Sequence, residues 1–332
     1  MTRQLRAAGI WGTGMAVPER ILTNADLEQM VDTTDEWITT RTGIKERRIA
    51  ADDEATSDLA TRAGKLALVE AGVEAEELDL IIVATVTPDM SFPATACIVQ
   101  MELGATKAAV FDLSAGCSGF VYALDMAVRA VESGAYHRVL AIGADVLSRI
   151  TDWTDRSTCV LFGDGAGAAV IGPVGDKRGL LATDLGAVGA QGHFLTLPAG
   201  GSRRPSSLET VEGREHFIRM QGNEVYKFAV RVMGETTQRS LAKCGLTPGD
   251  IDVFVPHQAN IRIIEAARKR LGIAEEKVFV NVQAYGNTSA ASVPIALDEA
   301  FRGGRIKYDD IVALVGFGAG LTWASAILRW GR

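Results

Sequence analysis

Cys117 is the residue whose type and setting best fit covalent chemistry. It lies in the segment Ser114-Ala115-Gly116-Cys117-Ser118-Gly119, between a predicted strand over 108–112 and a predicted helix over 117–132. Small residues on both sides leave room for a substrate, and a helix N-terminus stabilises a thiolate, which lowers the pKa of a cysteine. We therefore predict a nucleophilic thiol here. The alternative is a small buried side chain without chemistry, as most free cysteines are.

A nucleophilic thiol needs a base, and the chain offers four histidines. Only His257 directly follows a predicted buried strand, over 251–255, and α/β sheets place their sites at the carboxyl ends of strands. The other three lie in a turn or an irregular segment and are predicted to be solvated surface residues: His137, His193 and His216.

Asn287 is a third candidate, in the segment Tyr285-Gly286-Asn287-Thr288-Ser289. It follows a short predicted β segment over 278–282 and opens a predicted helix over 289–302. The simplest structural interpretation is that the Asn287 side chain caps this helix.

An internal repeat relates the cysteine and asparagine turns. At an offset of 173 residues, 122–129 matches 295–302, and two further pairs of segments share the same offset. Unrelated α/β segments would show a different offset for each pair, so one offset indicates a duplicated unit. The repeat carries Cys117 to Ala290, three residues from Asn287. We therefore expect the two turns at equivalent points of two similar halves.

Apolar strands alternate with helices in each half, which predicts an α/β architecture with sheets covered on both faces. The predicted helices and strands are 57–71, 117–132, 224–243 and 289–302, and 80–86, 108–112, 139–143, 251–255 and 311–315. We place the halves at 1–175 and 176–332 and expect one shared core in a pseudo-symmetric layered molecule. Residues 184–215 belong to neither repeat and, being rich in Gly, Ser, Arg and Pro, predict a long surface loop.

Composition narrows the classes of function. The chain has 332 residues, 47% hydrophobic and 23% charged, as in a globular protein of about two domains. Its net charge of −7 argues against nucleic acid as the main partner. The four cysteines show no CxxC spacing, which predicts neither a zinc site nor disulfides and fits a reducing, cytoplasmic location. Cys97, Cys159 and Cys244 lie in apolar or helical runs and are predicted to be structural.

No targeting or membrane segment is predicted. The N-terminus lacks an apolar region before Pro18, so it does not read as a secretory signal. Residues 311–328 carry no charge and reach the nominal length of a membrane span. Gly316, Gly318 and Gly320 divide this stretch, which predicts strand–turn–strand inside a large core.

Three motifs carry a resemblance to a known family. Ala115 to Gly119, Pro256 to Asn260 and Gly286 to Ser292 resemble the Cys, His and Asn signatures of β-ketoacyl-acyl-carrier-protein synthase III. That family comprises the thiolase-fold condensing enzymes that initiate fatty-acid synthesis. The similarity covers nearly the whole chain and is weakest over 187–215. It implies a layered αβαβα fold made of two pseudo-duplicated halves.

The resemblance implies an acyltransferase that works in two stages. An acyl-CoA primer acylates Cys117; malonyl-acyl-carrier-protein then loses CO₂, and its carbanion attacks the acyl-cysteine to give 3-oxoacyl-acyl-carrier-protein. His257 Nε2 and the side-chain NH₂ of Asn287 would stabilise the enolate. The backbone N–H groups of Cys117 and Ala319 would hold the later oxyanion. No metal or cofactor is implied, because the CoA thioester is a substrate.

Substrate-binding residues follow from the same resemblance. Trp37 and Arg156 match the pair that brackets the adenine of CoA. Positions that match the tunnel entrance are Thr33, Arg41, Gly222, Tyr226 and Asn260. The carrier-protein-binding segment corresponds to Gln258, Ala259, Asn260, Ile261 and Arg262, followed by Lys269 and Arg270 on the same basic helix. Without the resemblance, Trp37 would be interpreted as a core residue of an amphipathic helix, and Arg156 and the charges of the basic helix as solvated surface groups.

The resemblance also implies a homodimer in which Phe92 contributes to the acyl pocket. Phe92 matches a family residue that reaches into the acyl pocket of the partner subunit. A large ring at this position favours short primers, but the rest of the pocket is not readable from the sequence. The choice between acetyl-CoA and short branched acyl-CoA therefore stays open.

Rival interpretations differ in the residues they require. Thiolases need a second catalytic cysteine in the C-terminal glycine-rich loop, and no cysteine follows Cys244. Chain-elongating synthases use two histidines where this chain has His257 and Asn287. Residues 163–167 lack the spacing of a dinucleotide-binding loop, and a non-catalytic subunit would not need Cys117. A starter-unit or ester-forming enzyme of secondary, polyketide-type metabolism keeps all three residues, so the sequence leaves it open.

Overall fold

The computed structural model describes residues 6–332, in which strands and helices alternate along the chain. The strands are β1 (Ala8–Ala16), β2 (Ile21–Thr23), β3 (Glu46–Arg48), β4 (Leu80–Ala84), β5 (Ala109–Leu113), β6 (Val139–Val146), β7 (Asp164–Pro173), β8 (Gly179–Ala187), β9 (Leu195–Thr196), β10 (Arg219–Met220), β11 (Val253–Pro256), β12 (Ile311–Gly318) and β13 (Thr322–Arg329). The α-helices are α1 (Asn24–Glu28), α2 (Asp35–Thr42), α3 (Thr56–Ala71), α4 (Thr95–Leu103), α5 (Gly119–Glu132), α6 (Leu208–Glu212), α7 (Gly222–Lys243), α8 (Ile261–Leu271), α9 (Val282–Tyr285) and α10 (Ser292–Arg302).

Two large sheets form the body of the molecule. The first has the strand order β1-β7-β6-β4-β5 and the second β11-β12-β13-β8. β4 runs parallel to β5 and β6, and β11 runs parallel to β12, whereas β1, β7, β8 and β13 pair antiparallel to their neighbours. β4, β6 and β12 are buried along their full length. The uninterrupted apolar sequences of β4 and β12 predict this, whereas β6 also buries Asp145.

Helices cover both faces of each sheet, so the molecule has five layers. α5 and α10 lie between the sheets, and their apolar faces join strands of both sheets in one core cluster. α3 and α4 cover the outer face of the first sheet, and α7 and α8 cover the outer face of the second. The predicted αβαβα layering is confirmed. The division at residue 175 stays a prediction; the strands of the two sheets come from 8–173 and from 179–329.

The two central helices start two and three residues later than predicted, at Gly119 and Ser292. A 3₁₀ turn over Gly116–Ser118 precedes α5, and a second over Ser289–Ala291 precedes α10. The repeat offset maps one turn onto the other. Gly116 and its counterpart Ser289 both adopt positive φ, 55° and 51°, which only a glycine adopts without strain.

The predicted strand over 278–282 is wrong. Val278 forms only an isolated bridge to Phe254, and the chain turns into α9 at Val282. The backbone N–H groups of Asn281 and Val282 donate to the side-chain Oε1 of Gln258, at 3.0 and 3.2 Å. Because the Gln258 side chain accepts from these N–H groups, they do not pair with a neighbouring strand, and the bridge between Val278 and Phe254 does not extend. The second sheet therefore lacks a counterpart of β5.

The predicted surface loop over 184–215 is also wrong in part. Its beginning is the end of β8, and it continues through a 3₁₀ turn over Gly189–Phe194 into β9 and later α6. Leu195 and Leu197 line a cavity beside Cys117. The composition of residues 184–215 did not predict that part of this segment lines a cavity, because its few cavity-facing apolar residues are scattered among polar ones.

The uncharged stretch near the C-terminus is the antiparallel pair β12 and β13, as predicted. Among residues 6–332, no helix has the length and apolar character needed to cross a bilayer.

Candidate active site

Cys117 lies at the meeting point of the two halves, in the turn between β5 and α5. The loop after β12 packs closely against this turn: a Cβ atom on Gly116 would approach the backbone nitrogen of Ala319 to 2.7 Å, and one on Gly318 would overlap the backbone nitrogen of Cys117. Only glycines allow this approach. The packing places the backbone of Ala319 beside that of Cys117, as the sequence comparison anticipates.

Two cavities open onto Cys117. The first, of about 200 Å³, is almost entirely apolar. Its apolar lining comes from Val86, Leu147, Ile150, Phe162, Leu195, Leu197 and Ile218. The second, of about 210 Å³, contains His257, Asn287 and Phe317 beside Cys117 and extends to Gly222, Tyr226 and Asn260. Much of the second lining is also apolar, but it brings the side chains of His257 and Asn287 beside Cys117, and we call it the polar passage, or polar cavity, for these two residues. The nucleophile therefore faces both the apolar cavity and the polar passage.

His257 lies at the carboxyl end of β11, as predicted, and its imidazole is fully enclosed. Its backbone N–H donates to Val315 O at 2.7 Å, and the Phe317 ring stands edge-on to the imidazole with centroids 5.2 Å apart. Nδ1 contacts Ser292 Oγ, whereas Nε2 is buried with no hydrogen-bond partner among the described residues. Burial lowers the pKa of His257 to about 3, so the ring is neutral at physiological pH.

Asn287 is held by its own backbone and by its side-chain oxygen. Its backbone N–H donates to Leu161 O at 2.8 Å, and its carbonyl accepts from Gly163 N at 3.0 Å. Asn287 Oδ1 accepts from the backbone N–H of Ser289 at 2.9 Å. Asn287 therefore caps a helix start, as the structural interpretation predicts, but the capped element is the 3₁₀ turn over Ser289–Ala291 that precedes α10. Because Oδ1 is occupied, the amide NH₂ remains for the cavity that Asn287 lines with Cys117 and His257.

Asp145 is a buried carboxylate at the site that our sequence analysis missed. It continues β6 beyond the predicted strand end, and its Oδ1 accepts from Thr85 Oγ1, Val86 N and Thr87 at 2.8–3.2 Å. Its Oδ2 accepts from Ala290 N at 3.1 Å, which fixes the Ser289 turn to the first sheet. Burial raises the pKa of Asp145 despite these bonds. The strand-end rule that selected His257 would have found it.

The predicted low pKa of Cys117 is wrong in direction. Burial raises the pKa of its thiol to about 12, opposed by a hydrogen bond with Ser289 and reinforced by the negative charge of Asp145. α5 begins two residues after Cys117, so the thiol lies before the first helical turn. Desolvation therefore outweighs the helix N-terminus here.

This raised pKa has a measurable consequence. The alkylation rate of Cys117 by iodoacetamide should rise about tenfold for each pH unit from 7 to 9, because the thiolate fraction grows in that proportion well below a pKa of about 12. Intact-mass kinetics measure the rate, with Cys117→Ser as the control for the other three cysteines. A plateau below pH 8 would show that the helix N-terminus governs the thiol.

The residues matched to CoA binding lie on α2, on the first turns of α7, at the start of α8 and in two loops. Arg41 and Arg156 both stack on Trp37, with their Cζ atoms 4.6 and 5.0 Å from the ring centroid. Asn260 Nδ2 donates to Arg41 O at 3.0 Å, which ties the start of α8 to α2. Gly222, Tyr226 and Asn260 line the polar passage, so Arg41 and Trp37 adjoin its mouth. Thr33 has a buried hydroxyl with no partner among residues 6–332.

The residues matched to carrier binding divide into buried and exposed members. Gln258 is 1% exposed, and its amide bonds Pro256 O, Phe279 O and the two N–H groups at the start of α9. A side chain so enclosed holds the backbone and does not contact a docking protein, which corrects that prediction. Ala259, Asn260 and Ile261 are half-buried, and Arg262 and Lys269 are exposed on α8.

Phe92 lies apart from the site, on the surface of the molecule. Phe92 is 84% exposed and is not among the residues that line the two cavities at Cys117. Among the described residues, no group of three His, Cys, Asp or Glu side chains is arranged to hold a metal ion.

Comparisons with known proteins agree with this geometry. Family models match over residues 111–189, 3-oxoacyl-[acyl-carrier-protein (ACP)] synthase III, and over 241–330, the C-terminal part of the same enzyme. The chain is 64% identical to the beta-ketoacyl-[acyl-carrier-protein] synthase III of Caldanaerobacter subterraneus subsp. tengcongensis, covering 98% of both chains.

Solved structures give the same result. The synthase III of Thermus thermophilus matches with a TM-score of 0.91 at 53% identity, covering 97% of this chain and 99% of that one. The priming β-ketosynthase of the R1128 polyketide pathway matches with a TM-score of 0.92 at 38% identity, covering 100% and 98%. The identity to this priming synthase is lower than the 53% and 64% found for the two synthases III.

Proposed function

The chain belongs to the 3-oxoacyl-[acyl-carrier-protein] synthase III family, and from that premise we propose how its residues divide the reaction. The protein is a thiolase-fold condensing acyltransferase that carries out the initiating condensation of fatty-acid synthesis. An acyl group passes from CoA to the enzyme and then to the carbanion formed from malonyl-acyl-carrier-protein. The products are 3-oxoacyl-acyl-carrier-protein, CoA and CO₂.

Cys117 takes the acyl group. Its sulfur attacks the thioester carbonyl of acyl-CoA, a new C–S bond forms, and the CoA thiol leaves, so one thioester replaces another. The apolar cavity beside Cys117 then holds the acyl chain away from water. Its volume of about 200 Å³ and aliphatic lining fit a short straight or branched primer.

His257 and Asn287 act in the second stage. When malonyl-acyl-carrier-protein loses CO₂, the electrons of the broken C–C bond move onto the thioester oxygen. Two neutral N–H donors stabilise that charge, His257 Nε2 and Asn287 Nδ2, both in the polar cavity. A ring held neutral by burial suits a donor role, since it needs no proton exchange with solvent. The backbone N–H groups of Cys117 and Ala319 then bind the oxyanion formed at the acyl-cysteine.

The observation that carries this proposal is the placement of Cys117 between the apolar cavity and the polar cavity with His257 and Asn287. The test is reconstitution with malonyl-acyl-carrier-protein and one primer at a time: acetyl-, isobutyryl- or isovaleryl-CoA. Mass spectrometry should detect the matching 3-oxoacyl-carrier protein. Acyl transfer to a small alcohol or to another acyl chain, without CO₂ release, would instead indicate an ester-forming or starter-unit enzyme.

Substrates reach the site through the polar passage. Trp37, Arg41 and Arg156 at its mouth offer a flat ring and two guanidinium groups for the adenine and phosphates of CoA, and no cofactor is needed. Arg156 Nη1 donates to Asp32 O at 2.6 Å. The arginine must leave the Trp37 ring for a base to stack between them.

The exposed cations of α8 are proposed to recognise the acidic carrier protein. Replacing Arg262 and Lys269 by Glu should raise KM for malonyl-acyl-carrier-protein by about tenfold or more and leave acylation by acyl-CoA nearly unchanged. Added salt should reduce the difference, because exposed charges are screened over about 8 Å at 0.15 M. Steady-state kinetics of the two half-reactions measure the effect.

Two controls accompany this variant. Arg262 Nε also donates to Thr40 O at 3.1 Å, so Lys269→Glu alone tests charge without breaking that link. Lys65→Glu with Lys107→Glu reverses two exposed charges in the first half of the chain. Equal losses in both half-reactions would mean that the α8 patch is structural.

The protein is further proposed to act as a homodimer. β5 is an edge strand of the first sheet, and Phe111 on it is 41% exposed. An open edge with an exposed aromatic side chain is suited to pairing with a second copy of itself. Phe92, also exposed, would then contact the partner. Sedimentation velocity measures the state; a fully active monomer would contradict the proposal.

A further inference from the structure

Ser292 is the first residue of α10, and its side chain is buried against the imidazole of His257. Ser292 is 2% exposed and its Oγ contacts His257 Nδ1. The backbone N–H of Gln258 also points at Oγ, at 3.4 Å. Ser292 Oγ has no other hydrogen-bond partner within residues 6–332. The sequence placed Ser292 in the asparagine motif without assigning it a role.

The protons of this contact can be counted. A serine hydroxyl has one proton to donate and two lone pairs to accept with. Gln258 N–H has only a donor to offer, so it uses a lone pair of Oγ. If His257 carried its proton on Nδ1, Oγ would accept a second N–H, and the hydroxyl proton would be buried without an acceptor. If Nδ1 is unprotonated, the hydroxyl donates to it, and every group is satisfied.

The second arrangement also fixes the other ring nitrogen. A neutral imidazole carries one proton, so an unprotonated Nδ1 requires Nε2–H. Nε2 is the buried atom with no protein partner among the described residues. The His257 residue lines the cavity shared with Cys117 and Asn287.

We propose that Ser292 is a positioning residue that locks His257 in the Nε2–H tautomer, so that the ring donates to the substrate thioester oxygen and does not act as a base. The inference rests on the proposed enolate-stabilising role of His257. Ser292 touches no reacting atom; it acts through the imidazole. Its position at the head of α10 couples the ring to the same turn that carries Asn287, so both donors share one support.

The first experiment reads the tautomer directly. Long-range ¹H–¹⁵N correlation of the four histidine rings in uniformly labelled protein, assigned with His257→Ala, separates protonated from unprotonated ring nitrogens. The expected result is an unprotonated Nδ1 and a protonated Nε2 for His257. The reverse pattern overturns the proposal, whatever the enzyme's activity.

The second experiment measures the consequence. Ser292→Ala should keep acyl-enzyme formation from acyl-CoA and reduce decarboxylation of malonyl-acyl-carrier-protein by about 10- to 100-fold, an order of magnitude taken from the loss when the hydrogen-bond partner of a metal-bound histidine is removed. Ser292→Thr keeps the hydroxyl and should recover most of the rate. Ser240→Ala removes an equally buried hydroxyl from α7, bonded there to Ser325, and should change neither half-reaction.

The outcomes separate the inference from the proposed function. If Ser292→Ala lowers both half-reactions equally while the histidine spectrum stays as in the wild type, Ser292 is merely structural and the proposal is wrong. If the wild type releases no CO₂ at all, the proposed function fails, while the spectrum still reports the tautomer. If Ser292→Thr does not fold, the wild-type spectrum together with Ser292→Ala decides.

Discussion

Replacing Cys117 by serine is expected to abolish acyl-enzyme formation. A serine hydroxyl is a far weaker nucleophile than a thiol. The loss should be on the order of 10⁴-fold or more, comparable with the removal of other enzymic nucleophiles. The fold should persist, because the two side chains have similar volumes and small residues surround the site.

The measurement is incorporation of radiolabelled acyl groups from acyl-CoA, followed by digestion. Label should appear only on the peptide that holds Cys117. Cys244→Ser, which changes a partly buried cysteine near the end of α7, is the matched control and should load normally. Label on any other peptide defeats the assignment of the nucleophile.

The second large effect separates the two half-reactions. His257→Ala and Asn287→Ala should each still form acyl-enzyme but lose at least about 10² in decarboxylation and condensation, because one oxyanion donor contributes about 2.7–4 kcal/mol. Both side chains lie in the polar cavity, where the malonyl thioester would enter, and Cys117 with its turn lies between that cavity and the apolar one. Intact mass follows acylation, and CO₂ release follows decarboxylation.

His137→Ala, which removes an exposed histidine, is the control for these variants. Suppose that His257→Ala loses acylation as severely as decarboxylation. His257 would then be the general base of a Cys–His pair, and Asn287 would only orient the ring. That result would also require a proton-accepting Nε2, which the Ser292 contact disfavours.

The sequence by itself determined the architecture, and it was enough to propose Cys117, His257 and Asn287 as the central residues. Uninterrupted apolar strands, amphipathic helices and one repeat offset predict two equivalent α/β halves, because burial on both faces imposes these patterns on every residue of an element. Cys117 and His257 were identifiable because each follows a strand, and strand ends are set by local pattern. Asn287 was selected partly by a strand over 278–282 that does not form, so its motif and the repeat offset were the sounder signals. The residues around them repeat at the same offset, which predicts that the two turns meet.

Only the tertiary structure decided the electrostatics of the site and its supporting contacts. The pKa of Cys117 depends on desolvation by groups distant in sequence, and it moves in the direction opposite to the local prediction. Asp145 binds the turn of Ala290 across 145 positions, and Ser292 meets His257 across 35. Gln258, predicted to meet a partner protein, is enclosed, because its amide replaces a strand pairing. Such contacts arise where elements pack, and no periodic pattern in one segment records which distant side chain will fill the space against it.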